Sequence, residues 1–553
     1  MPVKTKPIEY QTVVVGAAYL VKGILTRLRF VSAIDNALKF QPNIESTYGA
    51  LAQVPVVNRL TFQPVPLYEM GEWASEHGID RVFELEAAWL DDDRLGAMLE
   101  ALADHQVTIW STLVKNAVRR FHVNLEDLHA DTTSVYFEGA YENDDGSPKG
   151  GGQRIPLMVE GYNKDGQRHK VQMVLSLITS GRVPLWYCPW DGNRTDDAVY
   201  LVDMTALRQV VLGPANVLLI GDRKLCNENT MVSFCRQKQL FLAAHPWTDT
   251  AKAVWRDTWQ QLQAGQLSWA TVEYTSRNKA RKPPAQRPQY RVCEVAHSVK
   301  DAEAPQGHHA LRWIFIWSSD KATQDARERT QALQAAEEAL QRIRRLLGKY
   351  DYTCRQTIEA RIDQALHQTK ASAYLTYTLE GTDEDQAWRL CWKRQQKMIA
   401  DATCFDGIAL LCTNAPTERL SSGDAMVKYK EQIRVEQTID FIKSPVQIRP
   451  MWLHSPKRLA GLTLLIMVAT LVAALLEHQV RRWIAKTGQL VKGLRPEGRD
   501  DPYPTAKAML RAFQDYALVV VRSGKGHAQW HYPKLRPVQQ RIWDIMELPP
   551  LPS

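Results

Sequence analysis

The sequence predicts an α/β protein: a mixed-sheet core, a mostly helical N-terminal region before it, and a mixed α+β insertion within it. Three observations predict this. Residues 1–120 carry apolar positions at helical spacing, most clearly in RVFELEAAWLDDDRLGAMLEALADHQVTIWSTLVKNAVRRF. Between 121 and 245 short β-branched and apolar runs alternate with helical pattern. From 246 to 415 the pattern changes again, with a polar, proline-containing strip and one long helix.

Length and composition fit this reading. A chain of 553 residues holds several structural units, and 45% hydrophobic with 24% charged residues is ordinary globular composition. The formal net charge of +8 and pI ≈ 8.9 are compatible with a polyanionic partner. The eight cysteines are scattered singly without a C-x-x-C pair, which argues against a zinc site and a disulfide framework and favours a reducing compartment. The N-terminus lacks a convincing signal-peptide cleavage site and runs straight into helical pattern.

Taken in order, Asp91, Asp92 and Asp93 stand where an N-cap and first helical turn favour acids. Strands are expected at 130–137, 155–161, 170–179 and 183–188, then a helix at 196–212, a strand at 216–221, a helix at 227–238 and a strand at 241–245. Three adjacent strands, a helix, then a strand is the order of a ribonuclease H-like sheet. Within 246–415, strand signals at 268–275 and 289–297 flank the strip RNKARKPPAQRPQ, which reads as an exposed loop. A helix over 321–347 follows, with Leu333, Ala336, Leu340, Ile343 and Leu347 on one seam, as in a helical hairpin. Residues 416–480 supply a helix over 422–443 and an uncharged run, Leu459–Leu476, which is as long as a membrane span but reads better as a helix buried on all faces. The tail, 481–553, opens with Arg481, Arg482, Lys486, Lys492, Arg495 and Arg499, a charge run of the kind usually found on a solvated face.

Three acids stand out. Asp131 lies in the strand LHADTTSVYFEG, Asp222 closes the apolar run NVLLIGD, and Glu436 lies in the helical YKEQIRVEQTIDFIKS. Each alone reads as a turn, strand-end or surface acid. Together, two strand-borne aspartates and a helix-borne glutamate can hold a pair of Mg2+ ions that clamp the attacking and leaving oxygens of a phosphodiester. The carboxylates are then expected to converge within a few ångströms. At about 100° per residue, Tyr429, Gln432, Glu436 and Lys443 share one stripe of an unbroken helix. His129 shares a strand face with Asp131 and reads as a buried structural histidine. Lys164 and Asp165 read as turn residues, Asn193 as a turn cap or a DNA contact, and Arg223 and Lys224 as a basic pair beside Asp222.

With these motifs in this order, the chain resembles the DDE transposases of bacterial insertion sequences, in the branch with a long insertion before the catalytic Glu. The resemblance runs through LDDDRLGAML, LHADTTSVYFEGAY, GYNKDGQRHKVQMVLSLITSGRVPLWYCPWDGNRTD, LIGDRKLCNENT, FDGIALLCTN and YKEQIRVEQTIDFIKSPVQIRP. It implies a ribonuclease H-like core (121–245 and 416–480) that cuts transposon ends and joins their 3′-hydroxyls to target DNA, with Asp131, Asp222 and Glu436 holding two Mg2+ ions, or Mn2+ in their place. It further implies DNA contacts from Tyr429 and Lys443, with Gln432 where the family has Arg; Arg223 and Lys224, from their place after Asp222, read equally as DNA-backbone contacts near the cut or as a solvated pair. Transposon-end binding by residues 1–120, partners in double-stranded inverted repeats and target DNA, a homodimer on DNA, no membrane, and a bacterial cytoplasmic setting follow from the same likeness. Relatives stack an insertion aromatic on a flipped base, for which Trp255, Trp259, Trp269, Trp313 and Trp317 are open choices. The alternatives are a metal-dependent nuclease that does not join strands and an inactive DNA-binding relative.

Overall fold

The computed structural model describes residues 8–39, 45–61, 63–136, 156–161, 170–194, 199–213, 216–276, 279–443, 453, 455–495, 497, 500–523 and 529–551. In chain order, strand β1 (Ile8–Val14) leads into helices α1 (Ala18–Leu28), α2 (Phe30–Leu38), α3 (Tyr48–Thr61), α4 (Met70–Glu76), α5 (Ile79–Phe83), α6 (Asp92–Asp104) and α7 (Gln106–Phe121). Strands β2 (Asp127–Tyr136), β3 (Val159–Glu160), β4 (Val171–Ser180) and β5 (Val183–Asp191) follow, then α8 (Val199–Leu207) and β6 (Leu218–Gly221). Next come α9 (Glu228–Arg236), β7 (Leu240–Ala244), α10 (Asp249–Gln263), β8 (Ala270–Val272), β9 (Tyr290–Lys300), β10 (His308–Ser318), α11 (Ser319–Leu346), α12 (Arg355–Gln368), β11 (Leu375–Glu380), β12 (Arg389–Arg394), α13 (Gln396–Thr403), β13 (Ile408–Thr413) and α14 (Ser422–Lys430). The chain ends with α15 (Ile433–Lys443), α16 (Pro456–Thr487), α17 (Ala506–Arg511), β14 (Ala517–Ser523), β15 (Gln529–His531) and α18 (Pro537–Ile545).

These elements divide into two compact units, Met1–Lys224 with Glu431–Ser553, and Leu225–Lys430. In sequence the second unit falls between Asp222 and Glu436.

In the first unit, β2 pairs antiparallel with β4, β4 antiparallel with β5, and β2 parallel with β6. The centre of this mixed sheet is apolar on both sides, as a sheet covered by helices requires. A small second sheet, β1-β14-β15, joins the two ends of the chain; Val13 stands opposite Leu518 and Tyr10 opposite Val521. The segment read as a short apolar run leading into a helix therefore begins as a strand. Asp91 caps α6 as its position suggested, accepting from the Arg94 N–H at 2.8 Å.

The hub of this unit is α16. Every residue from Leu459 to Glu477 is buried, and the helix packs on α1, α3, α6, α7, α15, α17, α18 and β5. It is long and apolar enough to cross a membrane, yet its most hydrophobic window is entirely covered by protein. Helix α6 approaches so closely that a Cβ at Gly461 would sit 2.0 Å from the Leu99 carbonyl oxygen. The buried carboxylate of Glu477 is met by Arg182 at 2.7 Å, by Arg481 at 2.8 Å and by the Ala506 N–H at 2.8 Å.

In the second unit, β10 lies between β9 and β13, with β7 beyond β13 and β8 beyond β9. The expected seam on α11 is present: Leu333, Ala336, Leu340 and Ile343 pack with Ile358, Ile362 and Leu366 of α12 in a helical hairpin. Residues Lys282–Gln286 of the proline-containing strip are exposed. All eight cysteines are free thiols.

Candidate functional site

Asp131 sits in the middle of β2 and Asp222 immediately after β6. The parallel ladder pairs Asp127 with Leu218, Leu128 with Leu219 and His129 with Ile220, a constant offset of 91 (218 minus 127). Asp131 and Asp222 are separated by the same 91 (222 minus 131). The observed pairs end at His129 and Ile220; two further steps at this offset would set one aspartate beside the other, on strands that lie ~4.8 Å apart in a regular sheet. Both residues are half-buried. The Asp131 carboxylate accepts the Thr132 N–H at 2.7 Å. One oxygen of Asp222 accepts the Tyr200 hydroxyl and the Lys224 N–H, each at 3.1 Å, so α8 and the residues after β6 orient it.

Glu436 is on the exposed face of α15, which packs against β2, β4 and α16. Partial desolvation, and then the like charge of Asp440 one turn further on, raise its pKa. Two clamps hold this helix in place. At its start, the buried Gln432 donates to the Ala130 carbonyl at 2.8 Å and faces Nδ1 of the buried His129 at 3.1 Å. Further along, Arg182 donates to the Gln437 carbonyl at 3.1 Å and Thr438 donates to the Arg182 carbonyl at 3.2 Å. Arg182 reaches both because Gly181 before it adopts φ +58°, the left-handed turn that glycine takes without cost. Asp131 and the anchor of the Glu436 helix are thus fixed to adjacent positions of one strand.

The expected convergence of all three carboxylates is not drawn in full. Among the described residues no group of three or more His, Cys, Asp or Glu side chains is placed to hold a metal ion. The aligned pair offers hard carboxylate oxygens, the donor type that Mg2+ and Mn2+ prefer, and Glu436 is the third acid on an element packed against the same strand.

The unbroken 422–443 helix needs correction. It is two helices, α14 and α15, with a tight turn at Glu431–Gln432 where the Arg434 and Val435 N–H groups bond three residues back, at 2.9 and 3.1 Å. The stripe phased from Tyr429 therefore stops at Lys430, and Tyr429 belongs to the second unit. Gln432, expected to face DNA, is corrected too: it points into the protein, 7% exposed, with its amide used between α15 and β2. Lys443 does share α15 with Glu436, in its last turn and half-buried. Arg223 is exposed and Lys224 half-buried, next to Asp222. Asn193 is exposed in the turn after β5, whereas Lys164 and Asp165 lie outside the described residues. Trp255 and Trp313 are core residues, with the Trp255 indole donating to the Cys404 carbonyl at 2.9 Å; Trp259, Trp269 and Trp317 are half-buried.

Sequence reasoning missed Tyr200, Arg182 and Asp440. Tyr200 and Arg182 act across long sequence separations and left no local signal. Asp440 was legible as an acid one helical turn beyond Glu436.

Residues 10–114 match the family described as a domain of unknown function, DUF4277. No curated protein matches the chain. Among solved structures, it is similar to the piggyBac transposase synaptic complex with hairpin DNA, at 8% identity and a TM-score of 0.35, over 90% of this chain and 78% of that one. It is also similar to the Mos1 strand transfer complex, at 12% identity and a TM-score of 0.15, over 41% of this chain and 66% of that one. Superpositions this loose add nothing to the residue-level geometry.

Proposed function

We propose that this chain is a transposase of the DDE kind, which cuts transposon ends and joins their 3′-hydroxyls to target DNA by metal-dependent phosphoryl transfer. The observation that carries the reading is the shared offset of 91: the β2–β6 ladder, paired as far as His129 and Ile220, would bring Asp131 level with Asp222 if continued two steps. Strand order supports it: β2, β4 and β5 pair antiparallel in turn, with the short β3 also on β4, and β6 is added parallel to β2, as at the beginning of a ribonuclease H-like sheet.

In this reading Asp131, Asp222 and Glu436 would hold Mg2+, which would supply Lewis acidity toward a water or 3′-hydroxyl and charge neutralisation at the phosphate. The chain supplies the positioning. Tyr200 and the Lys224 N–H fix one Asp222 oxygen, leaving its second oxygen for a cation. Gln432 and Arg182 hold α15 against β2 and so set where Glu436 stands. Lys443, in the last turn of the Glu436 helix, and the Arg223–Lys224 pair beside Asp222 are cations suited to phosphate contacts. The helical N-terminal region would bind the inverted repeats, and a homodimer would pair the two ends.

The test is a nicking and strand-transfer assay on DNA carrying the element's own termini, with Mg2+. Asp131→Ala, Asp222→Ala and Glu436→Ala should each abolish nicking while duplex binding persists. Cleavage retained by any of the three would remove that residue from the catalytic set. Hydrolysis without joining in the unaltered protein would make it a nuclease instead.

A further inference from the structure

A second concentration of charge in the first unit has no carboxylate of the proposed triad among its lining residues. A cavity of about 390 Å3 opens where the ends of α1, α7 and α16 meet α18, lined by Arg27, Arg120, Arg482, Lys486 and Arg541 together with His122 and Trp483. Those five cations face only two acids there, Asp544 and Glu547.

The plainest account of cations at helix C-termini is that they offset the partial negative charge and cap the free carbonyls. It explains part of this cluster. Arg27 donates to the Met546 carbonyl at 2.6 Å and the Arg120 carbonyl at 3.1 Å, and pairs with Glu547 at 3.1 Å. Arg482 reaches the Phe121 carbonyl at 3.5 Å. It does not explain Arg120, whose Nε is buried with no hydrogen-bond partner. Desolvation, and then the charges of Arg29 and Arg119 outside the pocket and of Arg27 within it, push the Arg120 pKa down, so positive charge is crowded around this guanidinium. Lys486 stands in the last turn of α16, where that account does favour a cation, but Arg541 is in the last turn of no helix; both are exposed at the rim, and Arg541 lies 5.6 Å over the Trp483 ring. An anion seated among them would relieve the crowding, and an arginine held over an indole presents a fork of donors suited to phosphate oxygens.

We propose that this pocket is a second DNA-backbone site, which seats a duplex phosphodiester away from the residues that cut it. The choice of DNA as the polyanion rests on the transposase reading; the pocket itself stands on its charge and geometry. Because it contacts phosphate and no base edge, it adds affinity without sequence preference.

The experiment is fluorescence anisotropy of the full chain with a labelled duplex in EDTA, where no cutting occurs, over a series of salt concentrations. Arg482→Gln, Lys486→Gln and Arg541→Gln, on two separate helices, should each weaken binding equally across sequences and lower the salt slope by roughly one unit. Lys486→Arg, which keeps the charge, should restore the slope, and circular dichroism melts should match the parent. Unchanged slopes in all three glutamine variants would overturn the proposal. So would a pocket that serves free phosphate: inorganic phosphate would then raise the melting temperature of the parent but not of Lys486→Gln, with the DNA slope unmoved. An RNA duplex bound more tightly than DNA through the same residues would overturn the choice of partner. Failure here leaves the carboxylate triad standing, since EDTA silences it. Loss of nicking in Asp131→Ala leaves the pocket standing if the slope is kept.

Discussion

At position 432 an amide side chain reaches from the turn just before α15 to the backbone of β2, beside Asp131. Gln432→Leu removes the donor to the buried Ala130 carbonyl and should cost about 1–3 kcal/mol, read as a lower urea midpoint. Gln432→Arg would bury a guanidinium at a site 7% exposed, so it should lower the melting temperature and leave DNA affinity no higher. Tighter end binding at an unchanged melting temperature would return the residue to the DNA face. Helical phase put Gln432 on the same side as Glu436, but phase holds only along an unbroken helix, and the turn before α15 lets this side chain swing inward. Asp203 is a second case that spacing could not disclose. It lies buried on α8, where Trp186 donates to it at 3.0 Å. Burial, only partly opposed by hydrogen bonds from Ser176, Trp186 and Trp190, raises its pKa to about 7. A carboxyl whose folded pKa exceeds its unfolded value near 3.9 favours the folded state most when protonated, so stability should fall as pH rises from about 4 to 7 and level off above. Asp203→Asn should flatten that limb in urea titrations, and an unaltered pH profile would show that Asp203 is not its source.

At the scale of elements, the strands and helices from 127 to 244 stand within a few residues of where β-branched runs and apolar periodicity placed them, because these signals are local. The strand at Ile8–Val14 escaped because its partner, β14, lies some 500 residues away and nothing near it in sequence marks a pairing. The candidate site divides the same way. The strand setting of Asp131 and Asp222 was legible, and the ladder offset matches their spacing, but the break at Glu431–Gln432 and the Arg182 clamp on α15 depend on tertiary contacts. That clamp is part of a buried ion cluster, since Arg182 also pairs with Glu477 of α16. Glu477→Ala would strand Arg182 and Arg481 and should cost about 3–5 kcal/mol. If the clamp also positions Glu436, the variant should lose nicking under conditions where it is still folded. Full activity in a folded Glu477→Ala protein would mean that α15 holds its place without Arg182.

For the molecule as a whole, the decisive element is α16. Its sequence admits two environments, because a helix without a polar face suits a bilayer and a protein interior equally well. The fold separates them: residues from both ends of the chain, Met1–Lys224 and Glu431–Ser553, come together in one unit, and α16 is buried within it. Its packing is also tight enough to be sensitive to single atoms. Gly461→Ala would place a methyl group 2.0 Å from the Leu99 carbonyl oxygen, so α6 and α16 would have to part; the cost should be at least the 1–3 kcal/mol or so of overpacking. A helix enclosed on all sides cannot open without dismantling its surroundings, so its amides should exchange only through global unfolding. In detergent-free buffer, hydrogen exchange should therefore rank Leu462–Leu476 among the most protected segments of the protein, and Gly461→Ala should speed their exchange by the factor that its loss of global stability implies. Rapid exchange of this helix in a detergent-free preparation, or recovery of the protein only with detergent, would mean that the apolar surface of α16 is covered by something other than its own chain.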